Sequence, residues 1–238
     1  MCIRDRMYVV PFRKLRKKIF YASYLGSFAN WLKLLKISKN YQQIVDDYKS
    51  YQKTRKAKIA VYACSTGNYD NPVKLKVFDR DCDYIMFVDN PQDYDQSQYI
   101  WELRPLKYHQ SDLIRNARYH KIMVHEVLPE YEETIWIDTN IDLLSPLFWE
   151  DLQRIKAAGV RFAISAHPDR DCLYDEAQMC IEMGKDKREL IEAECNFMRN
   201  QGYPPHFGLF ETNIMYRNMA DPTLPAVMET LSLIHISE

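Results

Sequence analysis

The sequence predicts an α/β fold with a buried, mostly parallel sheet, and three observations predict it. Apolar runs of strand length occur at Ile59-Ala60-Val61-Tyr62-Ala63-Cys64, Tyr84-Ile85-Met86-Phe87-Val88, Ile135-Trp136-Ile137 and Phe162-Ala163-Ile164-Ser165-Ala166. They are apolar at successive positions, as strands covered on both faces are. The runs pass into small or polar residues (Ser65-Thr66-Gly67-Asn68, Asp89-Asn90-Pro91, Asp138-Thr139-Asn140, His167-Pro168-Asp169), which is how α/β sheets present ligand loops at the carboxyl ends of strands. Between the second and third runs, residues 111–128 carry helical periodicity, with Ser111 or Asp112 as cap and Pro129 as stop.

The length of 238 residues suits one α/β domain and a small appendage. A hydrophobic share of 47% with 13% aromatics supports a packed core rather than disorder. Residues 1–6 and 231–238 can be encoded by one short nucleotide sequence read in opposite orientations, and this resembles a transposon-end adapter from a sequencing library. Both segments are therefore set aside as adapter-derived, and the domain is expected to be a fragment, truncated at its C-terminal side.

The net charge of −1 conceals an asymmetry: residues 7–58 hold 13 Lys/Arg against 2 Asp/Glu, and residues 59–238 hold 17 against 30. The change predicts a boundary between a basic helical segment, 7–56, and a main domain, 57–230. In the basic segment Leu15, Ile19, Phe20, Leu25, Phe28, Trp31, Leu32 and Leu35 recur at helical spacing among cations. Two readings fit: an interfacial helix over residues 12–36 making peripheral contact with anionic lipid, or helices packed on the main domain with a solvated basic face. No nucleic-acid module accompanies the charge, so no nucleic-acid partner is expected. Beyond Cys2, five cysteines remain with no C-x-x-C spacing. That pattern argues against zinc and for a reducing compartment. With no apolar run long enough to cross a bilayer, the expected location is cytoplasmic, with peripheral contact at the inner membrane face open to the basic segment.

Asp138 and Asn140 follow the Ile135-Trp136-Ile137 run, and strand alternation extended past Ile137 would point both side chains the same way, with Asp142 following. Two hard-oxygen groups at the end of a buried strand suit a divalent cation that itself holds a diphosphate. Asp and Asn are equally the residues of an ordinary turn. On the preceding helix Arg115, Arg118 and Lys121 share one broad face, with His125 a turn beyond, and Leu113, Ala117, Val124, Val127 and Leu128 form the expected buried stripe. That basic face supplies cations for a diphosphate or is a solvated face paired with Glu126 and Glu130. Neither G-x-G-x-x-G nor a P-loop is present, which excludes those two nucleotide fingerprints.

Taken in order, Arg118-Tyr119-His120-Lys121, His125, Ile135-Trp136-Ile137-Asp138-Thr139-Asn140-Ile141, Ala166-His167-Pro168-Asp169-Arg170-Asp171-Cys172-Leu173-Tyr174-Asp175-Glu176-Ala177, Gln201-Gly202-Tyr203-Pro204-Pro205, Gly208-Leu209 and Ile214-Met215-Tyr216-Arg217 resemble a glycosyltransferase-like domain family known from plant mucilage-related proteins and bacterial relatives. The motifs span residues 58–218. The resemblance implies a GT-A-like, Rossmann-type mixed sheet flanked by helices, and transfer of a sugar from a nucleotide-sugar donor to a glycan or a lipid-linked, membrane-associated acceptor. It places Asp138-Thr139-Asn140 where related enzymes carry a D-x-D that holds Mn²⁺ or Mg²⁺ with the donor diphosphate. The further Arg-Asp-Gln motif usual in the family is missing from this sequence.

Chemistry then assigns expected roles. Asp138 and Asn140 are the expected metal and diphosphate ligands, with Arg118 and Lys121 as helpers, since a departing diphosphate is stabilised electrostatically. Asparagine brings no charge, so metal affinity should be weaker than with two aspartates, and metal-independent chemistry stays open. His167 and Asp171 are expected catalytic groups, with Arg170, Asp175 and Glu176 lining a sugar or acceptor pocket. Asp175 and Glu176 equally suit the dipole at a helix start. Glu211 is the expected base or donor-sugar contact. Two other classes fit the same carboxylates: a metal-dependent phosphoryl-transfer or phosphoester enzyme, and a domain that binds sugar nucleotides or glycans without turnover.

Overall fold

A computed structural model describes residues 9–11, 40–53, 57–143 and 145–235. The segment 12–36, with its expected amphipathic stripe, lies outside the described residues. In chain order the elements begin with β1 (Val9–Pro11), α1 (Tyr41–Gln52), β2 (Ile59–Ser65), β3 (Asp83–Val88), β4 (Glu102–Pro105), α2 (Leu113–Ile122) and α3 (Val124–Val127). They continue with β5 (Glu133–Ile137), β6 (Ile141–Leu143), α4 (Leu147–Ala157), β7 (Phe162–Ala166), α5 (Leu173–Glu182), α6 (Arg188–Asn200), β8 (Phe210–Asn218) and α7 (Thr223–His235). All four apolar runs are strands.

Six strands make one mixed sheet in the order β4-β3-β2-β5-β8-β7. β2 runs parallel to β3 and β5, β3 parallel to β4, and β5 antiparallel to β8. β1 and β6 form a separate antiparallel pair in which Val10 faces Asp142. The central strands are buried along nearly their whole length, whereas β7, last in the order, is only part-buried and leaves Phe162 37% exposed. An end strand has a neighbour on one side only, which accounts for the contrast.

The chain divides into two compact units, one of residues 8–163 with 213–238 and one that includes residues 164–212. In the first, Tyr41, Val45 and Tyr48 of α1 belong to the same core as Val61, Ala63, Tyr84, Met86, Ile135 and Ile137 of the sheet. The Val, Met and Ile side chains among these each contribute about 1.5–3 kcal/mol by leaving water. Helix α1 is thus part of the main core, although it lies on the basic side of the boundary expected at 56/57. Helix α7 runs through residue 230 to His235, and its Met228 packs with Ile122 and Met123. In the second unit α5 and α6 pack together, Tyr174 donates to the Tyr203 carbonyl (2.6 Å), and the Arg199 guanidinium lies over the Tyr174 ring.

The helix expected over 111–128 is capped by Asp112, whose carboxylate accepts from the N–H groups of Ile114 and Arg115, but it breaks at Met123. Of its expected buried stripe Val124, Val127 and Leu128 are buried, but the first turns differ. Leu113 is 44% exposed, and the fully buried residues of α2 are Asn116 and His120. Asn116 closes a reciprocal pair with the Gln110 backbone, at 2.8 and 2.9 Å. His120 Nε2 accepts from the Lys107 N–H at 2.9 Å, so Nδ1 carries the proton and donates to the Asn116 carbonyl at 2.7 Å. Burial lowers the His120 pKa and keeps the ring neutral. These two side chains satisfy the loop before the helix, a task that apolar periodicity does not encode.

Candidate functional site

β3 and β4 extend the sheet to one side of β2, while β5 lies on the other. That reversal makes the carboxyl ends of β2 and β5 a topological switch point, where open α/β sheets leave a crevice for ligands. The loop after β2 and the turn after β5 meet there: Thr139 Oγ1 donates to Asp70 Oδ2 at 2.6 Å. The β2 loop is pinned on two further sides. Gly67 N–H donates to Asp89 Oδ2 at 2.6 Å, and Thr66 Oγ1 donates to the Leu113 carbonyl at 2.8 Å. Gly67 is at φ +66, and a Cβ there would lie 2.6 Å from Leu113 Cδ1.

Asp138 is the first residue after β5. Its Oδ1 accepts from Lys121 Nζ at 2.9 Å and from Trp136 Nε1 at 2.6 Å, and Lys121 Nζ also lies over the Trp136 ring. Behind this pair is Arg217, fully buried on β8, which donates to Tyr62 Oη at 2.6 Å and to the Lys121 carbonyl at 2.7 Å. Among the described residues no carboxylate lies within salt-bridge distance of Arg217, and its Nε has no hydrogen-bond partner. Arg118 is exposed on α2. The Lys121 pKa is lowered chiefly by burial; Asp138 opposes this, and the charges of Arg217 and Arg118 add to it. Lys121 thus pairs with one carboxylate and feels two further cations. Cations gathered this way and partly withdrawn from water suit a multiply charged anion.

Strand alternation stops at Ile137. Ile141 N–H returns to the Asp138 carbonyl at 3.0 Å, so residues 138–141 form a turn, and Asn140 is exposed at its third position. Asp138-Thr139-Asn140 is therefore a turn, and its first residue pairs with the part-buried Lys121. Asp142 does not join Asp138; it sits on β6 at 2% exposure, and burial pushes its pKa up to about 6.

The remaining predicted residues belong to the second unit. His167 Nδ1 accepts from the N–H groups of Asp169 (3.2 Å) and Arg170 (3.1 Å), which leaves the proton of the neutral ring on Nε2. Nε2 lies 3.6 Å from Glu176 Oε2 and 3.8 Å from Glu211 Oε1, while the Arg170 guanidinium pairs with Glu176. His167, Arg170, Glu176 and Glu211 are thus brought together as an imidazole between two carboxylates with one balancing guanidinium. Such a group can pass a proton or bind hydroxyl groups. Asp171 turns instead to His206 Nδ1 at 2.8 Å, and Asp175 lies beside His206 and Cys172.

Sequence reasoning missed Trp136, Thr139 and Asp70 as partners of the turn, Arg217 as a buried cation, and His206 with Cys172. The signal for Arg217 was present, an arginine closing the apolar run Ile214-Met215-Tyr216. No local pattern joins Cys172 to His206.

A family model described as TOD1/MUCI70, glycosyltransferase-like domain, matches residues 36–214. Among curated proteins, a probable hexosyltransferase MUCI70 of Arabidopsis thaliana is 30% identical over 97 residues, covering 40% of this chain and 16% of that protein's length. The chain thus spans only a small part of that relative.

Proposed function

Because the chain belongs to the TOD1/MUCI70 glycosyltransferase-like domain family, we propose that it transfers a sugar, a hexose first among candidates, from a nucleotide-sugar donor in the GT-A manner. The acceptor class is a glycan or a lipid-linked, membrane-associated molecule. The observation that carries this reading is the Lys121–Asp138 pair at the β2/β5 switch point with uncompensated Arg217 behind it. Sugar transfer leaves a nucleoside diphosphate, and preorganised cations in a partly dry crevice stabilise the charge that develops as it departs. Lys121 and Arg118 are assigned to the diphosphate; Arg217 is assigned to holding Lys121 in place through its backbone carbonyl.

The residues fit a divalent cation of the Mg²⁺ or Mn²⁺ kind, which is commonly held by one or two carboxylates together with substrate phosphates and water. Both hydrogen bonds to Asp138 converge on Oδ1, which leaves Oδ2, with the exposed Asn140 amide, to hold the ion. When bound, it would supply further neutralisation of the diphosphate. The His167, Arg170, Glu176 and Glu211 cluster is assigned to sugar or acceptor recognition, with Glu211 as the group able to take a proton and His167 as one able to give its Nε2 proton.

Thermal shift against UDP- and GDP-sugars, with and without Mn²⁺, tests the donor assignment. The wild type should be stabilised by at least one nucleotide sugar, and Asp138→Ala and Lys121→Met should lose most of that shift. If no nucleotide sugar stabilises the chain, the donor site is wrong. Binding without measurable turnover would select the non-catalytic binding domain instead.

A further inference from the structure

We propose that Cys172, Asp175 and His206 form a site for a thiophilic divalent cation, zinc foremost, with one coordination position left open. The three residues offer a thiol, a carboxylate and an imidazole whose ligand atoms all lie within 4.8 Å of one another. Zinc bonds to such atoms are about 2.0–2.3 Å long, which places tetrahedral ligands roughly 3.3–3.8 Å apart. Closing that gap takes about an ångström of side-chain movement, and Asp175 and His206 are both exposed.

Three features of the surroundings match a metal site. Asp171 Oδ1 pairs with His206 Nδ1 at 2.8 Å, the carboxylate–histidine arrangement that orients an imidazole and presents its other nitrogen to a metal. Cys172 precedes the first turn of α5 and is 1% exposed. His206 holds φ +55, a left-handed conformation uncommon for a non-glycine residue and retained where surrounding structure enforces it. Gly208 N–H donates to the Asp171 carbonyl at 2.9 Å and Tyr203 Oη to the Gly208 carbonyl at 3.5 Å. The loop carrying His206 is thereby folded back onto the start of α5.

A cysteine, a carboxylate and a histidine favour zinc over the Mg²⁺ or Mn²⁺ expected of an oxygen-only site. Three protein ligands leave the fourth tetrahedral position for water or a ligand group. Nothing in this site depends on a nucleotide sugar, so its test stands apart from that of the glycosyltransferase reading.

The whole chain, stripped with chelator, is titrated with Co²⁺ as a spectroscopic stand-in for zinc, and Zn²⁺ is then used to displace it. About one equivalent should bind with a thiolate-to-cobalt charge-transfer band, and Zn²⁺ should abolish that band. Cys172→Ser should remove the band. His206→Gln, a change at an exposed position, should weaken binding at least tenfold with the fold intact by circular dichroism. Asp171→Asn should keep the band and lose about 10–100-fold in affinity. The site is refuted if no Co²⁺ binds at micromolar free metal, if binding gives no thiolate band, or if folded His206→Gln binds as tightly as the wild type.

Discussion

Replacing Asp138 by Asn removes a charge and little else, because the amide oxygen can still accept from Trp136 Nε1, 2.6 Å away. What it leaves behind is Lys121, with a side chain 19% exposed and, among the described residues, its one carboxylate partner within salt-bridge distance gone. Breaking a fully buried pair costs about 3–5 kcal/mol and a surface pair about 0.2–1. The Asp138 side chain is 37% exposed, so the expected loss is discounted to about 1.5–2.5 kcal/mol. Lys121→Met keeps the stem over the Trp136 ring and removes the stranded charge, so the double variant should recover most of the loss, with a coupling of about 1–2 kcal/mol. The pH dependence fixes the sign. Burial lowers the Lys121 pKa and Asp138 raises it back; without Asp138 it falls further. Between the folded and unfolded pKa values the unfolded chain then binds more protons, so stability rises with pH through that window. The deficit of Asp138→Asn should therefore be largest near neutrality and shrink toward pH 10. Urea titrations of the four proteins at pH 7 and pH 10 provide the measurement. A coupling below about 0.3 kcal/mol, or a loss equal at both pH values, would refute the account of Lys121 as a buried cation held by Asp138.

Asp142→Asn should stabilise the chain at pH 8 and do nothing below pH 4. Burial raises the Asp142 pKa from 3.8 to about 6, so the penalty for ionising it appears as pH rises through that interval, and it amounts to as much as about 3 kcal/mol. Melting temperatures across pH 4–8 check this, and a gain at pH 4 would contradict it. Tyr62→Phe strips Arg217 of its 2.6 Å partner in a fully buried position and should cost about 1–3 kcal/mol in denaturant unfolding. Gly67→Ala combines φ +66 with a 2.6 Å approach to Leu113; a loss of about 1–2 kcal/mol is expected, together with weaker nucleotide-sugar thermal shifts.

The strands were legible because burial on both faces writes itself as consecutive apolar residues: Val61 and Tyr62, Ile85 and Met86, and Ile135 and Trp136 all lie inside. Asp138 was legible as the polar residue that ends such a run. Asn116 and His120 were not, since a helix face that satisfies a neighbouring loop carries polar residues where periodicity expects apolar ones. The turn at 138–141 resisted reading for a related reason. Strand alternation and turn chemistry both accept Asp-Thr-Asn, and only the return bond from Ile141 decides between them. His206 and Cys172 stand 34 positions apart and meet through a fold-back held by Gly208 and Tyr203. Such a meeting belongs to tertiary structure, and no spacing rule signals it.

Trp136 touches both charged groups of the crevice, its indole N–H on Asp138 and its ring under Lys121. An excited indole responds to the field and the quenchers next to it, so this side chain is a built-in optical reporter of whatever reaches Lys121 and Asp138. The emission difference between the wild type and Trp136→Phe isolates its signal from the other tryptophans. A ligand could then be followed in solution without label, radioisotope or knowledge of the acceptor.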